Sequence, residues 1–142
     1  MKKMFINFIC FIVIFSCVST TVFALDESGI STYANNTAST NTVFVIIDGV
    51  AYATISYNGY DGITTNAVIT TKIQKRFLLF FWQDVDGAYW TDYASGVYYS
   101  NSHSISVSSG TYRVQVEYTI YGSGGEADVI TDEIEAKKWT TN

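Results

Sequence analysis

The sequence predicts an all-β protein, a single antiparallel β-sandwich that follows an N-terminal secretory signal. From Thr42 onward, Val, Ile, Thr, Tyr and Phe dominate, and these residue types fit pleated sheets. Apolar runs are separated by recurrent turn signals such as Asp48-Gly49, which is typical of a sandwich or barrel. From position 112 to 120, apolar and polar residues alternate strictly, which predicts a strand with one buried and one solvated face. The apolar positions of this strand are Tyr112, Val114, Val116, Tyr118 and Ile120.

The first 24 residues have the three parts of a secretory signal peptide. Lys2-Lys3 precedes an apolar stretch from Met4 to Val18, and Val22-Phe23-Ala24 resembles a small-residue cleavage site. We expect cleavage after residue 24 and an extracellular protein. One alternative is a retained membrane anchor, although a spanning helix needs about 20 apolar residues and this stretch is shorter. The other is a lipoprotein with lipidated Cys17.

The remaining chain is long enough for one domain. We assign residues 25–41, which are rich in Ser, Thr, Asn and Ala, to a flexible lead-in, and residues 42–138 to the sandwich. Both cysteines, Cys10 and Cys17, lie in the signal. The mature domain is therefore expected to use neither disulfides nor thiol chemistry.

The mature chain is acidic. Removal of Lys2 and Lys3 with the signal leaves six basic and thirteen acidic residues, a formal net charge of −7. The basic residues are scattered along the sequence, at Lys72, Lys75, Arg76, Arg113, Lys137 and Lys138. Nucleic acids and anionic lipid surfaces attract proteins with a basic footprint, so we expect neither as a partner. Membrane contact is expected only through the transient signal peptide.

Nine strands are predicted from apolar alternation and turn residues. Ser108-Ser109-Gly110 is predicted to join two of them as a hairpin. In the last one, Ile130 and Ile134 are four residues apart, which would also suit a helix, so a helix over residues 126–138 stays open. The predicted strands are 42–47, 50–57, 66–76, 77–85, 88–93, 97–100, 103–107, 110–121 and 127–135.

The segment Ser109–Val116 resembles the strand that carries the tyrosine corner in immunoglobulin-like sandwiches. Tyr112 is the matching tyrosine, and the resemblance implies that its hydroxyl bonds to the backbone upstream. The Cys, Trp and Cys spacing of antibody domains is absent, so the resemblance implies the sandwich alone.

A second resemblance rests on Thr71–Lys75, Trp90 and the stretch Ser109–Val114. These motifs are similar to a group of uncharacterised small secreted proteins of Gram-positive, Clostridia-like bacteria. The resemblance spans residues 42–135 and implies no activity. The chain departs from the group at Phe77–Trp82, where a more polar hairpin is expected.

No set of residues predicts catalysis, a metal site or a cofactor. The single histidine, His103, is in phase with Ile105 and is expected to lie in the core or at its rim, because no nucleophile-elbow motif accompanies it. Asp84-Val85-Asp86-Gly87 resembles the start of a calcium loop, but Ala88 stands where a third oxygen ligand is needed. We interpret it as a hairpin turn, with adventitious calcium at Asp84, Asp86 and Asp92 as the alternative.

Six consecutive apolar residues, Phe77–Trp82, interrupt the alternation. We interpret them as a strand buried on both faces or as a bulge, with Lys75-Arg76 and Gln83-Asp84 as gatekeepers against aggregation. The alternative is an exposed apolar patch including Phe80 and Phe81, which would mark a surface for self-association or docking.

A second candidate surface is aromatic. Tyr and Trp combine apolar area with a hydrogen-bonding tip, which suits interfaces and sugar faces. We expect Trp90 to be the buried tryptophan of the sandwich, and name Trp90, Tyr93 and Tyr99 as candidate binding residues. The aromatic residues of this segment are Tyr89, Trp90, Tyr93, Tyr98 and Tyr99.

These observations favour a secreted, non-enzymatic binding module of the extracellular space or cell envelope. Its expected partner is a protein or a cell-wall glycan, and a homo-oligomer stays open. The alternative is a membrane-active effector or bacteriocin-like protein that uses Phe77–Trp82. A third interpretation is an enzyme or inhibitor without a recognisable motif.

Overall fold

Seven antiparallel strands form two packed sheets in residues 34–136, the part of the chain that the computed structural model describes. The three-stranded sheet has the order β1-β2-β5, and the four-stranded sheet has the order β4-β3-β6-β7. The predicted β-sandwich is therefore confirmed. The strands are β1 (Thr37–Ile47), β2 (Val50–Gly59), β3 (Thr64–Phe77), β4 (Phe81–Ser95), β5 (Tyr98–Ser106), β6 (Tyr112–Gly122) and β7 (Asp128–Glu135).

The predicted signal peptide lies outside the described residues, as do most of the lead-in and the residues after Ala136. Within the described part, no helix has the length and apolarity that crossing a membrane requires. β1 begins at Thr37, five residues before the expected start at Thr42. The polar composition of residues 37–41 gives no strand signal in the sequence. The chain just before β1 is anchored because the Asp128 carboxylate accepts hydrogen bonds from the backbone N–H groups of Asn35 and Asn36, at 3.0 and 2.8 Å.

The core forms where the alternating inward side chains of the two sheets meet. Tyr118 illustrates how a buried tyrosine is accommodated, since its hydroxyl donates to the Asn41 carbonyl oxygen at 3.1 Å. The alternation predicted for β6 is confirmed, because its inward side chains are almost fully buried. The largest inward residues of β2 and β6 are Ile55, Tyr57, Tyr112, Val114, Val116, Tyr118 and Ile120.

The tyrosine corner is present. The Tyr112 hydroxyl donates to the carbonyl oxygen of Ser108 at 2.9 Å, as the resemblance implied. The preceding segment Ser108-Ser109-Gly110 is not a hairpin, because β5 and β6 belong to different sheets and the chain crosses between them. Constant-type immunoglobulin sandwiches place their fourth strand beside the fifth, whereas β4 here pairs with β3.

Two pairs of predicted strands are each one strand. Residues 81–85 of the first segment and all of segment 88–93 belong to β4, whereas Phe77 ends β3 and residues 78–80 form the turn between them. Segments 97–100 and 103–107 fall largely in β5. Asp86-Gly87 is not a hairpin turn: Lys72 pairs with Tyr89 and Gln74 with Asp84, so residues 85–88 bulge out of β4. The last predicted strand is confirmed as β7, against the helical alternative.

Candidate functional site

An apolar tip, Phe77–Phe81, closes the hairpin between β3 and β4. Its five consecutive side chains are 57–84% exposed. Phe77 pairs with Phe81 at the end of the ladder, and residues 78–80 form the turn. The expectation of a strand buried on both faces is wrong, because the chain reverses inside the apolar run. Phe80 and Phe81, which the sequence analysis named as candidates for an exposed apolar patch, both belong to this tip.

The turn holds one residue in an unfavourable backbone conformation. Leu78 has a φ angle of 56°, in the left-handed region that glycine and asparagine adopt most readily. A left-handed conformation costs an L-residue with a Cβ about 1–2 kcal/mol. An exposed leucine therefore occupies a position where a polar residue or glycine would fold more easily.

A charged cluster lies at the base of the tip, on the outer face of the four-stranded sheet. We call it the charged collar and define it as Arg76, Trp82, Arg113, Glu133 and Glu135. The guanidinium carbons of Arg76 and Arg113 lie 4.8 and 4.7 Å from the centroid of the Trp82 ring. Each arginine is paired with a glutamate: Arg76 with Glu135 at 2.6 Å and Arg113 with Glu133 at 3.0 Å. The indole thus contacts two cations, each of which is paired with a carboxylate.

Basic residues are concentrated near this collar. Within residues 34–136, every lysine and arginine lies on β3 or β6, at Lys72, Lys75, Arg76 and Arg113. The Lys75 ammonium donates to the Ser108 hydroxyl at 2.7 Å. These four residues are separated along the sequence, but the pairing of β3 with β6 brings them onto two neighbouring strands of the folded domain.

The aromatic residues of β4 and β5 do not form one surface. Alternation along β4 leaves Tyr93, which is 80% exposed, on the outer face of the four-stranded sheet, whereas Trp90 packs against the core. Tyr99 also points inward, stacked against Tyr57 with ring centroids 6.5 Å apart. The candidate residues Trp90 and Tyr99 are therefore separated from Tyr93 by the sheet, and Trp90 is half-buried, not fully buried.

The outer face of the four-stranded sheet carries a shallow groove beside Tyr89. Its volume is about 260 Å³. The side chains are mainly polar, and Lys72 pairs with Tyr89 across β3 and β4. The lining residues are Thr70, Lys72, Tyr89, Gln115, Glu117 and Thr131.

A buried carboxylate joins β4 to β5 at one side of the sandwich. Asp92 accepts hydrogen bonds from Tyr99 (2.9 Å), Asn101 (2.7 Å) and His103 Nε2 (2.6 Å). His103 stacks on Trp90 with ring centroids 4.7 Å apart, at the core rim as expected. Burial raises the pKa of Asp92, but the hydrogen bonds from His103, Asn101 and Tyr99 outweigh burial and leave the pKa below its ordinary value.

Two acidic residues of the calcium alternative, Asp84 and Asp92, are engaged elsewhere. Asp92 faces β5, and Asp84 accepts a hydrogen bond from the Gln74 amide at 2.6 Å. Among residues 34–136, no three His, Cys, Asp or Glu side chains come together as a metal site. Sequence reasoning missed the collar as a cluster, since Arg76 and Arg113 meet only through the pairing of β3 with β6.

Comparison with known proteins gives no sequence match and only a weak structural likeness. No protein-family model and no curated protein sequence matches the chain. Solved structures of a β-glucosidase from Listeria innocua, in complex with glucose and with gluconolactone, align at TM-scores of 0.43 and 0.42 with 14% identity. The alignments cover 72% of this chain and 16% of that enzyme. A likeness this small carries no argument about activity.

Proposed function

We propose that the chain is a secreted, non-enzymatic β-sandwich that attaches to the cell envelope through its apolar tip. The observation that carries the proposal is the exposure of five consecutive apolar side chains at one end of the domain. Contiguous exposed apolar surface marks interaction sites on folded proteins. Full burial of one such side chain contributes about 1.5–3 kcal/mol, so a few tip residues would supply substantial binding energy.

Two features support attachment as the role of the tip. Leu78 keeps an apolar side chain in the left-handed region, where the fold alone would favour glycine or asparagine. The collar also places two paired charges at the base of the tip, so the apolar surface of the hairpin ends at a polar boundary on this face of the sheet. The predicted signal peptide would deliver the domain to the outside of the cell, where an envelope target is available.

The test compares two aspartate substitutions in aromatic residues of similar exposure. Phe80→Asp alters the tip, and Tyr93→Asp, at 80% exposure against 84% for Phe80, alters the outer sheet face. Both proteins, recovered in the form that cells release, are sedimented with envelope fragments. We expect Phe80→Asp to abolish sedimentation and Tyr93→Asp to preserve it. Unchanged sedimentation of folded Phe80→Asp would refute attachment through the tip.

The groove beside Tyr89 supports a second candidate function, recognition of a cell-wall glycan. An aromatic ring with amide, hydroxyl and charged side chains around it combines stacking area with hydrogen-bonding partners. In the same assay, loss of binding to purified wall glycan in Tyr89→Ala, but not in Phe80→Asp, would favour this candidate over the tip.

A further inference from the structure

We propose that the surface on which the tip docks is a lipid bilayer, into whose interface the tip inserts as far as the charged collar. This inference rests on the proposed function and names its target. Four features of the described residues support it: the shape of the tip, the chemistry of the collar, a second apolar contact, and the small area available to any second copy.

The tip has the dimensions of an interfacial anchor. The last two residue pairs of the hairpin are Arg76 with Trp82 and Phe77 with Phe81, followed by the three-residue turn. Successive residues along a strand rise about 3.3 Å, so the turn extends roughly 5–8 Å beyond the collar. Apolar faces of interfacial segments bury about 5–10 Å into the boundary between headgroups and acyl chains. A convex tip inserts into a fluid bilayer without any preformed cavity.

The collar matches the headgroup layer in composition. Trp82 lies at the boundary between apolar and polar side chains, and tryptophan is enriched at membrane interfaces. The arginines stacked on it are paired with Glu135 and Glu133, so this end presents balanced charge. Balanced charge complements zwitterionic headgroups. Binding would therefore come from insertion and would not need anionic lipid, which reconciles it with the acidity of the chain.

A second apolar residue projects from the same end. Ile47, 56% exposed, lies beside the turn between β1 and β2. This turn is linked to the hairpin through the β5–β6 connection, since Val107 donates its N–H to Gly49 O at 2.8 Å and Lys75 donates to Ser108 at 2.7 Å. Two apolar contacts at one end suit a flat, extended surface.

A second copy of the chain is a poorer occupant. Stable protein interfaces use about 20–30 residues on each side, whereas the tip offers five. Two convex tips also bury little area against each other. Self-association through the tip is therefore a rival outcome of the test.

The experiment measures binding of the released protein to vesicles of pure phosphatidylcholine and of phosphatidylcholine mixed with phosphatidylglycerol. Wild type, Phe80→Asp, Leu79→Asp and Tyr93→Asp are compared after each is shown to be folded by its melting temperature. All carry the same N-terminus, which is determined by sequencing, so differences between them report the substitution alone.

We expect wild type to bind both vesicles, and salt between about 0.1 and 1 M to change binding less than about twofold. Phe80→Asp and Leu79→Asp should each lower the partition coefficient about tenfold or more, and Tyr93→Asp should not. Binding only to the anionic vesicles, lost in salt, would overturn insertion.

Absence of vesicle binding by the wild type would overturn the bilayer inference. If the wild type is then also a dimer that Phe80→Asp dissociates, the tip binds a second copy of the chain instead. If Phe80 is still needed for binding to envelope fragments, the proposed function survives that result. If Phe80→Asp binds vesicles and envelope fragments as well as the wild type does, both the bilayer inference and the proposed function are refuted.

Discussion

Arg76 and Trp82 face each other across β3 and β4, with the guanidinium carbon 4.8 Å from the indole centroid. Arg113 approaches the same ring to 4.7 Å from the neighbouring strand. One aromatic ring thereby fixes two cations directly below the apolar tip. The contact joins three strands on the outer face of the sheet, and it determines where apolar surface ends and charged surface begins.

Replacement of Trp82 should loosen this collar. Exposed cation–π contacts are worth about 0.5–1 kcal/mol each, so Trp82→Ala should lower the free energy of unfolding by about 1–2 kcal/mol. Tyr89→Ala, in an exposed aromatic residue of the same strand, is the matched control and should cost less. Denaturant unfolding measures both. Equal losses would mean that the stacked arginines add nothing to stability.

Relief of the strained turn should stabilise the fold and weaken attachment. Asparagine tolerates the left-handed region better than leucine, so Leu78→Asn should raise the free energy of unfolding by about 0.5–1 kcal/mol. The same change removes an apolar side chain from the tip and should reduce sedimentation with the envelope. A variant that is both more stable and equally well bound would contradict a docking role for Leu78.

Asp92 should contribute more to stability than other acidic residues of β4. Asp92→Asn leaves three donors competing for one weaker acceptor, which should cost about 1–3 kcal/mol. The control, Asp86→Asn, changes an exposed carboxylate in the bulge and should stay within about 0.5 kcal/mol. Comparable costs in thermal or denaturant unfolding would show that the Asp92 hydrogen bonds do not join the sheets as described.

The lowered pKa of Asp92 predicts a specific loss of stability in acid. Hydrogen bonds from His103, Asn101 and Tyr99 overcome the effect of burial, so the folded state binds this proton less readily than the unfolded state. The stabilisation is complete above the ordinary carboxyl pKa of about 3.9 and is lost as pH falls through the lower folded value. Melting temperatures from about pH 6 to 2 should therefore fall less steeply for Asp92→Asn. Parallel profiles would refute this assignment.

The strands with local alternation could be predicted from the sequence, and those with interruptions could not. The prediction of β6 is confirmed because each inward residue of this strand is two positions from the next. The sequence predicts two strands in place of β4 because Asp86-Gly87 has the composition of a turn. In the structure, Gly87 has a φ of 73° and takes part in a bulge within one strand. The start of β1 at Thr37 was missed because its stabilising partner, Asp128, lies at the far end of the sequence.

The tip could be named from the sequence, but its exposure could not. A run of six apolar residues looks the same whether it is a strand buried on both faces or an exposed turn, and Leu78 stands where a turn would normally show glycine or asparagine. The collar was beyond local reasoning, since Arg76 and Arg113 are far apart in sequence. The aromatic residues of β4 and β5 do not form one surface, because Trp90 and Tyr93 lie three positions apart in one strand and therefore point to opposite faces of the sheet.

The most direct test of attachment through the tip is amide hydrogen exchange of the released protein, free and bound to envelope fragments. Exposed turn amides exchange rapidly in the free protein, so docking of the tip is visible as slower exchange. The account predicts that slowing is confined to peptides that contain Phe77–Trp82 and the neighbouring β1–β2 turn. Slowing over Tyr89–Tyr93 or β5, with exchange at Phe77–Trp82 unchanged, would contradict it.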